Sequence, residues 1–323
     1  MSSNNSDDDQ EQPQGGKQND DQDEPVKRNQ FDLTKYEPNE TTIDLTHSRA
    51  DHIPDFTGFE QLKEAYLRNN LITVIPNNRF NHTLTELDLY ENQIEKIENL
   101  ESLVNLEKLD LTYNRIRKIE GLDKLTKLTE LYLVHNKLTE IQGLENLTEL
   151  KLIELGDNRL KKIENISHLV KLKELYLGKN KIRKIEGLET LTNLVTLSIP
   201  GNRLVKIENV ENLVNVEEIY LSDQGIQEIT GLSTMSKMRI IDISMNEITS
   251  LKGIENNKSI TDIWANNNRV ADWKEVEPLK DLPELDTIYL EHNPIYTNDL
   301  NGYRRKMILT LPQVKQIDAT LCR

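Results

Sequence analysis

The chain has 323 residues, a formal net charge of -15 at pH 7 and a single cysteine, Cys322. One cysteine excludes a disulfide framework and predicts a reducing compartment inside the cell. The acidic balance argues against nucleic acid as the main partner. No apolar stretch approaches the ~20 residues that a membrane span requires, so we expect no membrane-spanning segment.

The first 30 residues differ in composition from the rest of the chain. Residues 1–25 contain eight acids but only one base, Lys17, and no large apolar residue after Met1. Such a segment does not bury enough surface to offset the loss of chain entropy, which predicts a disordered acidic tail over residues 1–30. The simpler interpretation of this tail is a solvating leader, and a docking segment is the alternative.

A 22-residue unit then recurs along the chain. Residues 84–105 read LTELDLYENQIEKIENLESLVN, and the next 22 residues read LEKLDLTYNRIRKIEGLDKLTK. One column with this spacing holds Asn70, Asn92, Asn114, Asn136, Asn158, Asn180 and Asn202, and it continues through Ser48, Gln224, Asn246, Asn268 and Asn293 to give twelve units. The pattern resembles the leucine-rich repeat. The resemblance implies an α/β solenoid, curved, with a parallel sheet on its concave face.

The residues within one unit predict its path. Leu131 and Leu133 alternate with polar or aromatic neighbours, which indicates a short strand with its leucines facing inward. The asparagine that follows is suited to bonding the backbone of a turn. Apolar residues spaced by three then favour a short helical or 3₁₀ return on the convex face. A left-handed turn is predicted where each unit has Gly or Asn, at Asn99, Gly121, Gly143, Asn165, Gly187, Asn209, Gly231 and Gly253.

Both ends of a solenoid need covers, and these set the predicted boundaries. The repeat region is expected at residues 31–294, with an N-terminal cap at 31–42. A C-terminal cap is expected at residues 295–323. It should contain a helix near Tyr303–Leu309, and Val314 and Ile317 should close the core.

Two columns of residues are predicted to face outward between the inward leucines. The first is acidic or aromatic at eleven of its twelve positions, which are Asp44, Tyr66, Asp88, Asp110, Tyr132, Glu154, Tyr176, Ser198, Tyr220, Asp242, Trp264 and Tyr289. The second lies two residues earlier and holds Thr42, Glu64, Glu86, Lys108, Glu130, Leu152, Glu174, Thr196, Glu218, Ile240, Asp262 and Thr287. Together they contain eleven acids and one base.

These columns have a simple interpretation and a functional one. Charges keep an open sheet soluble, and neighbouring rings support each other across strands. However, like charges on adjacent strands are destabilising, and Asp88 beside Asp110 has no base in its column. Aromatic residues surrounded by charge are typical of binding hot spots. We therefore predict a binding face for a partner with a basic surface.

A second charged feature lies after the asparagine column. Lys96, Lys118, Lys162, Lys184 and Lys206 share one position, and Arg115, Arg117, Arg159, Lys161, Lys181, Arg183 and Arg203 lie beside it. Such a row of bases either contacts acidic partners or RNA, or pairs with its own glutamates, such as Glu98 and Glu120.

No residue pattern predicts catalysis. The six histidines are dispersed without metal-ligand spacing, and no nucleophile–base pair is suggested. The carboxylates of the columns form an open ladder instead of a desolvated pair. We therefore expect no catalytic residues, no metal and no cofactor.

Beyond the repeat itself, the chain resembles the leucine-rich-repeat regulatory subunits of protein phosphatase 1. The resemblance rests on the I-x-x-I-E-G/N-L returns and the terminal Y-R-x-K…L-P-x-V…I-D segment, with Trp264 and Tyr289 in the most specific part. It implies that the catalytic subunit binds at Asp110, Tyr132, Glu154, Tyr176, Asp242, Asp262, Trp264 and Tyr289. Further contacts are implied at Tyr66, Asp88, Glu130, Glu174, Glu218 and Tyr220.

The resemblance also implies a role. It indicates a non-enzymatic scaffold that controls the activity, maturation or localisation of the phosphatase, including in mitosis and chromosome segregation. It implies a nuclear and cytoplasmic location, a ternary complex with a small inhibitor subunit, and a chain that is monomeric by itself. Two alternatives stay open: a repeat adaptor for a cytoskeletal or axonemal partner, and an acidic histone or RNA chaperone.

Overall fold

A single sheet, parallel except for its last pair of strands, runs the length of the computed structural model, which describes residues 31–322. The predicted tail at residues 1–30 lies outside the described residues. Each repeat adds one strand beside the previous one, so the order of the strands in the sheet follows the chain order. Repeats this short bury their apolar residues only by stacking on their neighbours. The predicted solenoid is therefore confirmed.

The strands are short and regularly spaced. Twelve strands have three residues each: β1 Thr42–Asp44, β2 Glu64–Tyr66, β3 Glu86–Asp88, β4 Lys108–Asp110, β5 Glu130–Tyr132, β6 Leu152–Glu154, β7 Glu174–Tyr176, β8 Thr196–Ser198, β9 Glu218–Tyr220, β10 Ile240–Asp242, β11 Asp262–Trp264 and β12 Thr287–Tyr289. The middle residue of each strand is buried, as Leu131 is in β5. The register advances by one unit per strand, so Asp110 lies opposite Tyr132.

The asparagine column forms the predicted ladder behind the sheet. Asn136 is buried, and its Oδ1 accepts a hydrogen bond of 2.9 Å from the backbone N–H of Ile116. Its Nδ2 donates to the carbonyl groups of Leu111, Leu133 and Val134 at 3.0–3.2 Å. One side chain thus satisfies backbone groups in two neighbouring units, which an apolar residue does not.

The left-handed positions are partly as predicted. All eight predicted Gly and Asn residues have positive φ, for example 69° at Gly121 and 62° at Asn99. A second left-handed column, directly before the asparagine ladder, was not predicted. It includes Tyr113 at 54° and Lys179 at 53°. Side chains other than Gly or Asn disfavour this conformation, so the tight turn at the end of each strand imposes it.

Helices are fewer than the α/β prediction suggests. The described residues contain α1, Pro294–Thr297, and α2, Tyr303–Thr310. They also contain 3₁₀ segments at Leu232–Thr234, Ile254–Asn256, Trp273–Glu275 and Glu277–Asp281. Before Leu232 the described returns are turns. No helix within residues 31–322 has the length and apolar character needed to cross a bilayer.

Both ends of the core are covered. Phe31, Leu33 and Tyr36 pack against the first units, and the Tyr36 hydroxyl donates to the Asp44 carbonyl at 2.6 Å. At the other end α2 precedes the antiparallel pair β13, Gln316–Ile317, and β14, Thr320–Leu321. Val314 and Ile317 are buried, as predicted. Tyr303 and Met307 of α2 also join the core.

Candidate protein-binding face

The first and last residues of the strands form two columns on the concave face. In most strands these end residues are half-buried around a buried middle residue. We call the last-residue column, from Asp44 to Tyr289, the acid–aromatic column. The first-residue column, from Thr42 to Thr287, contains six acids and one base, Lys108. Because all twelve strands are in register, predicted site residues from distant parts of the sequence are adjacent in space.

The structure brings the eight principal site residues into two groups. Asp110, Tyr132, Glu154 and Tyr176 lie opposite one another on four successive strands. Asp242, Trp264 and Tyr289 are likewise opposite one another on three later strands, and Asp262 starts the strand that Trp264 ends. Ser198 and Tyr220 lie between the two groups.

Four tyrosines of the acid–aromatic column are hydrogen-bonded to glutamates of their own strands. The hydroxyl groups of Tyr132, Tyr176 and Tyr220 donate to the glutamate two residues earlier at 2.8–3.0 Å. Tyr66 donates to Glu64 at 3.2 Å. Burial, reinforced by the neighbouring carboxylates, raises the pKa of Tyr220 to about 12. The rings are thereby fixed in place as neutral groups beside charged ones.

Aspartates in the same column have a structural role that the sequence interpretation missed. The Oδ1 atom of Asp110 accepts a hydrogen bond from the Thr112 N–H at 2.8 Å. Asp242 accepts from both the N–H and the hydroxyl of Ser244, at 3.0 and 2.6 Å. Short carboxylates commonly close turns two residues ahead. The sequence pattern that could have predicted this role is an aspartate followed two residues later by Thr or Ser.

The predicted exposure of Asp88 and its unrelieved repulsion of Asp110 are both wrong. Asp88 is fully buried, and both Nη2 and Nε of Arg68 lie 2.5 Å from its Oδ2. Arg68 was missed because it lies outside the two predicted columns, two residues beyond the end of β2. Asp242, at 9% exposure, is also more enclosed than expected. Asp88 is therefore a structural residue and not a free contact.

Glu154 is a carboxylate of the face whose oxygens are free to accept a partner's cation. Within residues 31–322 no hydrogen-bond donor or cation engages its side chain, although it is half-buried. Burial, followed by the nearby charge of Asp110, raises its pKa. Burial also raises the pKa of Asp110, against the lowering effect of Thr112. A cation placed between these two groups would relieve the cost of their charges.

An aromatic corner lies at the C-terminal end of the face. The Trp264 ring centroid is 6.3 Å from that of Tyr220 and 6.5 Å from that of Tyr289. Gln316 of the cap donates to the Tyr289 hydroxyl at 2.7 Å. A depression of about 310 Å³ opens here, lined by Ser244, Trp264, Asn266, Tyr289 and Glu291. Half-buried rings beside a hollow are suited to receiving a partner's side chain.

The described part of the chain holds no group of three or more His, Cys, Asp or Glu side chains arranged to bind a metal ion. One carboxylate of the concave face, Glu86, forms an ion pair with Lys108 at 2.9 Å. The arrangement is an extended surface of charged and aromatic side chains.

Two family descriptions match the repeats. "Leucine Rich repeats (2 copies)" matches residues 82–124, 126–168, 148–190 and 170–213, and "Leucine-rich repeat" matches residues 196–322. The chain is a leucine-rich-repeat protein. This result agrees with the ladder, the strand register and the period already described.

Named relatives match shorter parts of this leucine-rich-repeat protein. A Caenorhabditis elegans "Protein phosphatase 1 regulatory subunit SDS22 homolog" is 58% identical over 71 residues, which is 22% of each chain. A Xenopus tropicalis "Protein phosphatase 1 regulatory subunit 7" is 48% identical over 54 residues, 17% of this chain and 15% of that one. The matched segments thus span about a fifth of these relatives or less.

Solved structures show the same fold at low sequence identity. An internalin from Listeria monocytogenes has a TM-score of 0.65 with 21% identity and covers 87% of each chain. A leucine-rich-repeat protein of Leptospira interrogans has a TM-score of 0.66 with 23% identity, covering 80% of this chain and 73% of that one. At such identities the likeness establishes the fold alone.

Proposed function

We propose that this leucine-rich-repeat protein is a non-enzymatic regulatory subunit that binds the catalytic subunit of protein phosphatase 1 through its concave face. It controls the phosphatase's activity, maturation or localisation, including in mitosis. The names of the relatives support the partner. The observation that carries the proposal is the in-register row of acids and rings from Asp110 to Tyr289.

The electrostatics of the row favour a basic partner surface. Glu154 and Asp110 are partly desolvated carboxylates with raised pKa values, so a partner's Lys or Arg gains from meeting them. Glu130, Glu174 and Glu218 add charge beside the tyrosines that they fix. Asp242 and Asp262 extend the negative surface to the aromatic corner.

Affinity is concentrated at the aromatic corner. Trp264 and Tyr289 are held on adjacent strands, so little side-chain entropy is lost when a partner covers them. Tyr132 and Tyr176, fixed by their glutamates, act in the same way in the first group. Rigid, half-buried rings surrounded by acids match the composition of interface hot spots.

The remaining parts of the proposal concern context. The chain acts in the nucleus and the cytoplasm, is monomeric by itself, and takes part in a ternary complex that includes a small inhibitor subunit. Its role is binding and not catalysis, because the face offers a wide charged surface on which the two partly desolvated carboxylates, Asp110 and Glu154, lie on strands separated by that of Tyr132.

Affinity purification from cell extract tests the proposal. The full chain should recover the phosphatase catalytic subunit. A variant carrying Asp110→Lys and Glu154→Lys should lose it. A matched variant with Glu101→Lys and Asp123→Lys, which changes the charge equally at exposed return positions, should retain it.

Other outcomes would replace the proposal. Recovery of a cytoskeletal or axonemal protein in place of the phosphatase would indicate an adaptor for that partner. Recovery of histones or RNA, by binding that is lost at high salt and is unaffected by Trp264→Ala, would indicate an acidic chaperone.

A further inference from the structure

A strongly basic surface forms on three consecutive returns of this acidic chain. We call it the basic ridge. Its eight cations all follow the asparagine ladder: Arg159, Lys161, Lys162, Lys181, Arg183, Lys184, Arg203 and Lys206. All eight are exposed. A depression of about 400 Å³ on the ridge is lined by six of them together with Glu186.

The chain's own acids neutralise only part of the ridge. Lys184 lies 3.9 Å from Glu186, and Lys206 lies 2.9 Å from Glu208. The other six cations have no carboxylate within ion-pair distance in the part of the chain that the structure describes. In earlier units the corresponding lysines are paired, with Lys96 at 3.0 Å from Glu98 and Lys118 at 3.6 Å from Glu120. The predicted self-pairing therefore holds for some members of the row and fails at its densest part.

Folding does not explain this clustering. The cations alternate with fully buried residues such as Leu160, Ile182 and Ile185, and these form the core. Uncharged polar residues would serve equally well at the exposed positions. Like charges placed on neighbouring units repel one another, which costs stability. A surface with such a cost and no folding role is suited to binding an anionic group.

We propose that the basic ridge binds an acidic peptide segment, rich in Asp or Glu, of a partner protein. The ridge lies on the returns and not on the sheet, so it is separate from the concave face. The chain then joins two partners of opposite charge, one basic on the sheet and one acidic on the ridge. The ridge proposal stands on its own contacts and does not require the phosphatase.

The dimensions and composition favour a peptide over a nucleic acid. Three adjacent units place their outer strands about 10 Å apart, which matches three or four residues of extended peptide. Proteins that bind single-stranded nucleic acid combine basic grooves with aromatic stacking platforms, and no aromatic residue lines the depression on the ridge. A longer polyanion would also extend onto a chain whose net charge is -15.

Fluorescence anisotropy with a labelled octaglutamate peptide tests the ridge on the full chain at low salt. Lys181→Glu with Arg183→Glu should weaken peptide binding by about tenfold or more, because two attractive charges become repulsive. The control is Lys151→Glu with Lys173→Glu, which changes the net charge equally at another basic depression. The control should stay within about twofold of the unmodified chain.

Three results would overturn the inference. These are no measurable binding of octaglutamate, an equal loss in both double variants, and tighter binding of oligouridylate that is lost only in the ridge variant. The last result would make the ridge a nucleic-acid surface. Arg183→Gln, which removes one charge without reversing it, should weaken peptide binding by a smaller factor and serves if the double variant does not fold.

Discussion

Arg68 and Asp88 form an ion pair in which the aspartate side chain is fully buried and the arginine side chain remains 45% exposed. The arginine comes from one unit and the aspartate from the next. Asp88 lies opposite Asp110 on the adjacent strand. Without the cation of Arg68, the repulsion between these two carboxylates would be unrelieved. The pair therefore stabilises the N-terminal part of the face. The acid–aromatic column alone does not reveal this contact, because Arg68 lies outside that column.

Removal of this arginine should destabilise the chain. Arg68→Ala leaves a buried charge without its partner, and we expect a loss of about 3 kcal/mol in the free energy of unfolding. Adding Asp88→Asn should restore much of the loss, because the charge is then gone. Urea denaturation measures both. A loss of about 0.5 kcal/mol or less for Arg68→Ala would show that the pair behaves as an ordinary surface pair.

Replacing Gly121, which forms a left-handed turn, should destabilise the chain more with alanine than with asparagine. A Cβ atom at Gly121, where φ is 69°, would lie 2.7 Å from the Ile97 carbonyl oxygen. Asparagine brings the same Cβ atom, but Asn99, at the same repeat position, offsets this contact by donating from its Nδ2 to the Ile75 carbonyl at 2.7 Å. We therefore expect Gly121→Ala to cost about 1–3 kcal/mol and Gly121→Asn to cost much less. Equal losses in thermal unfolding would contradict this explanation of the column.

The repeat made most of the fold predictable, because the same pattern occurs in twelve units. The strands, the asparagine ladder, the Gly and Asn turns and the closing residues Val314 and Ile317 all follow from it. The second left-handed column was not predictable from residue type, since Tyr113 and Lys179 normally avoid that conformation. Their backbone is set by the closure of the turn, which is a property of the stacked units.

The candidate site was predictable in placement but not in local chemistry. The period identified which residues line the face, and the register confirms that Trp264 lies opposite Tyr289. The period did not show that Asp110 and Asp242 close turns, or that Arg68 covers Asp88. Those contacts depend on side-chain direction and on residues beyond the ends of the strands.

Glu154 should make the stability of the fold depend on pH. Its pKa is raised above the ordinary value of 4.5, so the fold favours its protonated form. Its contribution to stability therefore declines as the pH rises from 4.5 through the raised value. Glu154→Gln should be more stable than the unmodified chain at neutral pH, and this gain should vanish below pH 4.5. Urea titrations across this range measure it, and a gain that grows in acid would contradict the burial of the carboxylate.

The same substitution, Glu154→Gln, should weaken binding of the phosphatase. With Gln at position 154 a partner's cation loses its carboxylate, so affinity for the catalytic subunit should fall even though the fold is more stable. Asp123→Asn, at an exposed return position, is the matched control and should leave affinity unchanged. Stability and affinity that rise together in Glu154→Gln would remove this residue from the proposed interface.

Titration calorimetry of the full chain with the catalytic subunit of protein phosphatase 1 tests the binding face most directly. Trp264→Ala should weaken binding by about 2–4 kcal/mol. Trp273→Ala is the matched control, because its ring lies on a return beside Lys306. The proposal predicts a large loss for Trp264→Ala and unchanged affinity for Trp273→Ala. Unaltered binding by the Trp264 variant, with its fold intact, would contradict it.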